Sequence, residues 1–429
     1  MNTGSTDIGR ETVRKVSLHL LPFLFVLYVI AYLDRVNFGY AALQMNSELG
    51  ISAEVFGFLS GIFFIGYLLF EVPSNLILQR VGARIWIARI MVSWGIVVIL
   101  TAVASSAIEL AAFRFSLGIA EAGFFPGIIL YLTCWFRKEE LARAVAFFMA
   151  ALTISNIIGA PVSTWILDNI AWFGIAGWRW LFILEGIPAI VLGIATWLYL
   201  SDRPEDAPWL SGEERDWLCG EIARGNRDSE KLGLSDTLRS VIADRNIWHL
   251  GLIYCMITIG LYGTGFWMPQ IIRSLNPAFT NVEIGMVMMV PFIVALITMT
   301  LWSAHSDRTG ERRWHTAIPP GIGGIALIGA GIIPDPLVAF LLIVIATAGI
   351  FCFFGPFWTL PAAFLTGAGA AAGIAVINSV GNVGGFIGPS VLGITVQVTG
   401  STGAGLVIIG GCLVICGILA AIVRVSPAQ

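Results

Sequence analysis

Four charged side chains interrupt stretches that are otherwise long and apolar: Asp34, Arg35, Arg114 and Glu121. A charge near the middle of a bilayer costs about 2.5–3.5 kcal/mol on insertion scales, so such residues pair with one another or with something that moves. Two acids and two bases suit two tasks. A guanidinium grips a carboxylate through two hydrogen bonds and keeps its charge. A carboxyl group takes up a proton in an apolar cavity and releases it beside an arginine, so alternation between the two surroundings carries a proton. The plainer alternative is an ion-pair network that fixes helix packing and moves nothing.

Spacing favours a cluster. Arg114 and Glu121 are seven residues apart, about two helical turns, which puts them on one face. Gly118 lies between them on that face and leaves room for a neighbouring helix or a substrate. Asp34 and Arg35 are adjacent and point about 100° apart on a helix. They cannot face one partner equally, so one is expected to face the fourth span and the other the cavity.

The elements that position these residues follow from composition. The chain has 429 residues, of which 57% are hydrophobic and only 12% charged; a soluble domain carries about 25% charged residues. Since about 20 apolar residues span a bilayer as a helix, twelve spans are expected: 17–41, 53–78, 85–106, 108–134, 142–167, 178–201, 246–272, 281–304, 313–333, 336–364, 371–398 and 402–424. A membrane β-barrel would show alternating segments of about ten residues instead. The polar start and the long run after it do not resemble a cleaved signal peptide. If both ends are cytoplasmic, inside segments hold 20 of the 24 Lys and Arg, and the outside segments only Arg179 and Arg273, a strong positive-inside bias. The fold class is therefore all-α integral membrane, in two six-helix halves.

The halves are expected at 1–201 and 246–429, joined by the polar segment 202–245, read as a cytoplasmic tether. Ser211 followed by Glu214 is a capping-box pattern for a surface helix within it. A repeat supports the division. Arg80, Gly82, Arg84 and Trp86 recur as Arg308, Gly310, Arg312 and Trp314 at a constant offset of 228 residues. Both copies fall in equivalent loops, where the glycine permits a turn with positive φ and the arginines can bond helix-end carbonyls or acids. Parallel six-helix repeats point to a transporter that rocks one half against the other. Cys412 and Cys416 are one turn apart, but with no third ligand they read as packing residues.

At these residues the chain resembles the major facilitator superfamily. Asp307-Arg308-Thr309-Gly310-Glu311-Arg312-Arg313 matches that superfamily's loop motif, while Gln79 stands where the first copy would carry the acid. A narrower resemblance lies in Tyr32-Leu33-Asp34-Arg35-Val36-Asn37, in Arg114 through Gly127, and in Trp178-Arg179-Trp180 through Gly186. These look like the anion:cation symporter family, whose members include bacterial permeases for tartrate, galactonate, glucarate and phthalate. The resemblance implies that Asp34 and Glu121 carry protons, that Arg35 contacts the substrate carboxylate, and that Arg114 is the charge partner of the acids. It also implies a gating role for the loops holding Asp307, Arg308, Gly310, Arg312, Arg80, Gly82 and Arg84.

Polar residues in other spans are candidates to read substrate hydroxyls: Tyr32, Tyr67, Asn156, Trp358, Asn378 and Asn382. The alternative for each is an interhelical hydrogen bond, worth about 0.6 kcal/mol. Glu71 and Glu185 are expected to be structural, Glu71 bonding a loop arginine or a backbone amide near its span's end. No His-x-x-x-His pair and no P-loop is present, so metal chemistry and ATP-driven transport are not expected. The reading is a proton-coupled importer of a small organic anion, tartrate-like or a sugar acid, working as a monomer in the bacterial inner membrane. It needs no cofactor, metal or nucleic acid. The alternatives are an aromatic carboxylate permease, a proton-driven exporter, and a sensor that binds substrate without moving it.

Overall fold

In lipid a backbone must satisfy its own N–H and C=O groups, and long unbroken apolar runs do so as α-helices. The computed structural model describes residues 3–226, 243–364 and 368–423. It is helical, with no strand among the described residues. The first half contains α1 (Thr3–Glu48), α2 (Ala53–Val81), α3 (Ala83–Thr101), α4 (Ala107–Glu121), α5 (Phe124–Thr133), α6 (Lys138–Met149), α7 (Ala151–Asn169) and α8 (Gly177–Tyr199). Then come α9 (Gly212–Asn226), α10 (Arg245–Leu275), α11 (Asn281–Thr309), α12 (Arg313–Ile332), α13 (Pro336–Phe364), α14 (Ala368–Thr399) and α15 (Thr402–Ala421). Twelve helical segments are long and apolar enough to cross a membrane. Six precede α9 and six follow it. The fourth crosses as α4 plus α5, and the fifth consists mainly of α7 with the end of α6.

Two details differ from the sequence expectation. The first helix starts at Thr3, well before the expected span. The fourth span is broken: α4 ends at Glu121, Gly123 takes a left-handed φ of 87°, and α5 restarts at Phe124. Pro126 has no N–H to continue the ladder, and a Cβ at Gly123 would lie 2.4 Å from Ser74 Oγ.

Glycines let helices touch backbone to backbone. A Cβ at Gly118 would lie 2.0 Å from the Phe63 carbonyl oxygen, so α4 and α2 meet there. The two halves join along α2 with α14 and along α7 with α11. Gly57 faces the Pro389 carbonyl at 2.5 Å from where its Cβ would be, and Gly285 faces that of Ala160 at 2.6 Å. Asp168 accepts from the Val282 amide at 3.0 Å and from the Asn281 side chain. These contacts sit at the ends of the spans distal to the chain termini.

The repeated loops share a device. Gly82 and Gly310 have φ of 98° and 69°, as the spacing predicts. In each copy a carboxylate accepts amides that open the next helix. Asp202 Oδ1 takes Arg84 N at 2.8 Å for α3, and Glu311 takes Trp314 N at 2.7 Å for α12. Arg312 bonds Asp307 of its own loop at 2.6 Å, and Arg313 bonds the Ala421 carbonyl at the end of α15. Arg80 and Arg308 are exposed beside these turns.

The capping box forms as expected: Ser211 N donates to Glu214 Oε2 at 2.7 Å, and Glu214 N to Ser211 Oγ at 3.2 Å. The segment it opens is not a free tether. Lys15 Nζ bonds Glu214 Oε2 at 2.8 Å, Trp217 packs on Gly9 of α1, and the Arg137 guanidinium lies 5.3 Å from the Trp217 ring centre. The rest of that segment, 227–242, and the basic Arg424 lie outside the described residues.

Candidate functional site

The break in the fourth span ends α4 at Glu121, with its side chain buried at 2% exposure. A helix C-terminus favours a cation, and Arg35 from α1 provides one: its Nη2 forms a salt bridge with Glu121 Oε1. Its Nη1 donates to Tyr262 Oη of α10 at 3.2 Å, joining the two halves. The guanidinium lies 5.3 Å from the Phe63 ring centre and 5.6 Å from that of Tyr67, the range of a cation–π contact. Arg35 Nε has no hydrogen-bond partner among the described residues.

Asp34 turns the other way. Trp94 Nε1 of α3 donates to its Oδ2 at 2.7 Å, and Oδ1 has no hydrogen-bond partner among the described residues. Arg35 therefore faces both the fourth span and the cavity, while Asp34 faces α3 inside the first half. This corrects the expected split between the adjacent pair, because the helix offset fixes the angle but not the neighbours.

Arg114 forms no salt bridge with an acid among the described residues, and its charge acts on Glu121 through space rather than by direct contact. It donates to the Leu59 and Ser60 carbonyls, each at 3.4 Å, and lies over the Phe38, Phe63 and Phe266 rings at 4.6–5.6 Å. The close approach of α2 at Gly118 supplies those carbonyls. Arg114 thus sits behind Phe63, the ring that Arg35 also touches.

Two chambers flank the Arg35–Tyr262 contact. One is lined by Tyr28, Arg35, Phe64, Tyr67, Tyr254, Asn378 and Asn382, among others, and lies toward the end of the molecule where the termini are. The other holds Tyr32 and Asn156 with Val36, Thr264 and Phe292, and lies toward the distal end. Tyr262 and Leu261 belong to both walls. Of the expected polar candidates, Tyr67, Asn378 and Asn382 share the chamber of Arg35, whereas Tyr32 and Asn156 line the other. Trp358 stands against Tyr254 with ring centres 4.9 Å apart and is not in the wall itself.

The sequence reading did not single out Tyr262 or Tyr254, and it named other partners for Glu71 than the structure shows. Among the described residues Glu71 bonds neither a loop arginine nor a backbone amide. Asn378 Nδ2 donates to its Oε1 at 2.7 Å, and Ser379 Oγ to its Oε2 at 3.2 Å. The available signal was helix length: α2 runs on to Val81, which makes Glu71 an interior charge. Glu185 bonds Ser163 Oγ at 2.6 Å, a structural tie between α8 and α7.

A family model described as Major Facilitator Superfamily matches residues 24–389. An Agrobacterium vitis protein named "Putative tartrate transporter" is 44% identical over 425 residues, which covers 99% of this chain and 97% of that protein. A quinolone resistance transporter of Acinetobacter baumannii is 36% identical, covering 93% of this chain and 92% of its own. Among solved structures, the D-xylose-proton symporter superposes with a TM-score of 0.74 at 14% identity, over 94% of this chain and 96% of that one. The chain belongs to the Major Facilitator Superfamily, and it is a multi-pass membrane transporter of that class.

Proposed function

We propose that the chain is a proton-coupled symporter that imports a small organic anion, a tartrate-like hydroxy dicarboxylate or a sugar acid. The observation that carries this reading is Arg35, buried in the chamber wall with Glu121 as its sole anionic partner among the described residues. A substrate carboxylate competes with Glu121 for the same guanidinium. Once displaced, Glu121 sits in apolar surroundings and takes up a proton. Charge counting then enforces coupling. The empty site holds Arg35⁺ with Glu121⁻, and the site loaded with a sugar acid holds Arg35⁺ with the substrate carboxylate beside neutral Glu121; a dicarboxylate brings a second negative charge, which a second proton taken up by Asp34 offsets. Substrate or proton alone leaves an uncompensated buried charge, which costs several kcal/mol. The resemblance of the chain to tartrate-named relatives supports the anion class.

Asp34, buried beside Trp94, is a second proton carrier in this reading, and Arg114 supports it as a fixed positive charge behind Phe63. Tyr67, Asn378 and Asn382 contact substrate from one chamber, and Tyr32 and Asn156 from the other. Trp358 acts through Tyr254. Residues 1–201 and 246–429 rock about this site by alternating access, with Asp307, Arg308, Gly310, Arg312, Arg80, Gly82 and Arg84 guiding the loops. The protein works as a monomer in the inner membrane, with both termini on the cytoplasmic side according to the Lys and Arg bias.

A second reading, an aromatic carboxylate permease, draws on the ring cluster of Tyr254, Phe354, Phe357 and Trp358, of which Tyr254 and Phe354 line one chamber. Competition of labelled tartrate uptake in proteoliposomes by sugar acids and by phthalate decides between them: the sugar acids are expected to compete, and competition by phthalate alone selects the second reading.

A further inference from the structure

Glu71 is buried at 3% exposure in the seam between α2 and α14. It forms no ion pair among the described residues, and both of its carboxylate oxygens accept hydrogen bonds, from Asn378 Nδ2 and Ser379 Oγ. Oε1 accepts from the amide nitrogen whether the carboxyl group is ionised or carries its proton on Oε2, beside the Ser379 hydroxyl. It therefore fixes the orientation of the Asn378 amide. The NH₂ end must face Glu71, and the Oδ1 end must face away. Oδ1 accepts no hydrogen bond from the described protein, and Asn378 lines the same chamber as Arg35. A neutral glutamine at position 71 can donate or accept, and would let the amide turn over.

We propose that Glu71 is a positioning residue for substrate selection: by accepting from Asn378 across the seam between the halves, it holds the Asn378 carbonyl toward the chamber as an acceptor for a substrate hydroxyl. The chamber then favours carboxylates that carry a hydroxyl over those that lack one. This inference rests on the organic-anion reading above. A substrate without the hydroxyl leaves Oδ1 unpaired, and a buried acceptor without a donor is disfavoured because it has lost its water without gaining a partner. Glu71 itself need not touch the substrate.

The test uses full-length protein in proteoliposomes and two matched probes, tartrate and succinate, which share a four-carbon dicarboxylate skeleton and differ in hydroxyls. Wild type is expected to show a lower KM for tartrate. In Glu71→Gln the KM for tartrate is expected to rise roughly tenfold, the effect of one hydrogen bond, while the KM for succinate and both maximal rates stay within about twofold. A structural role alone would move both substrates or the maximal rate together. Asn378→Ala provides a check should Glu71→Gln fail to fold: it is expected to lose the same preference. Adding Glu71→Gln to it is expected to cost no further preference. Equal KM values in wild type, or a preference that survives Asn378→Ala, overturns the positioning role and leaves the anion reading standing. Uptake of neither probe by wild type overturns both.

Discussion

At the residue scale, the chemistry concentrates on one guanidinium. Arg35 bonds Glu121 within its own half and Tyr262 in the other, so its fork geometry matters as much as its charge. Lysine offers a point charge without the fork. Arg35→Lys is accordingly expected to raise the KM for tartrate at least about tenfold in proteoliposome uptake; an unchanged KM would remove Arg35 from the substrate site. The four intramembrane charges were legible in the sequence because their cost in lipid makes them conspicuous. Their pairing was not. Arg114 shares a face with Glu121, yet the close approach of α2 at Gly118 offers it carbonyls and rings instead. The partners of Glu71 were hidden for a related reason: they lie 307 and 308 residues away in sequence, and no local pattern announces them.

At the element scale, the break after Glu121 does the positioning. Ala at position 123 would need a left-handed φ and would press on Ser74, a strain of about 1–3 kcal/mol. Gly123→Ala is expected to lower the melting temperature and to reduce uptake, and a melting temperature equal to wild type would contradict the constraint. The break was not read from the sequence, because Gly123-Phe124-Phe125-Pro126 stands inside a continuous apolar run. The capping box at α9 was fully legible because its two members are three residues apart. Burial pushes the Glu214 carboxyl up, but Lys15 and the Ser211 amide and hydroxyl outweigh it and hold the group below its usual range. A carboxylate lowered on folding stabilises above its unfolded value of 4.5, and that contribution is lost as pH falls through the folded value. Docking of α9 on α1 is therefore expected to weaken on acidification below about pH 4.5, read as faster proteolysis of the segment. Glu214→Gln is expected to show that faster cleavage already at neutral pH. Equal cleavage of both proteins at all pH values would sink this assignment.

At the scale of the whole molecule, twelve spans and two halves follow from apolar run length and the repeated loop, and both were readable from sequence. Which ends of the halves touch was not, since glycine-lined seams arise only when helices far apart in the chain are brought together. The seams at Gly57 with Pro389 and at Asp168 with Asn281 close the end distal to the termini, and the chamber of Arg35 lies toward the opposite end. A rocking cycle must part those distal contacts. Oxidative crosslinking of an Asp168→Cys, Asn281→Cys pair is expected to stop uptake, with recovery on reduction. Undiminished uptake by the crosslinked protein would show that the distal seam does not open.

The competition of substrate and Glu121 for Arg35 is tested most directly by external pH. Purified protein in weakly buffered proteoliposomes is given tartrate outside, and the medium is followed with a pH electrode. The medium is expected to turn alkaline as protons enter with the anion, and Glu121→Gln is expected to abolish that rise while leaving tartrate exchange measurable. Tartrate uptake by wild type with no proton movement, or an undiminished rise in Glu121→Gln, would contradict the account.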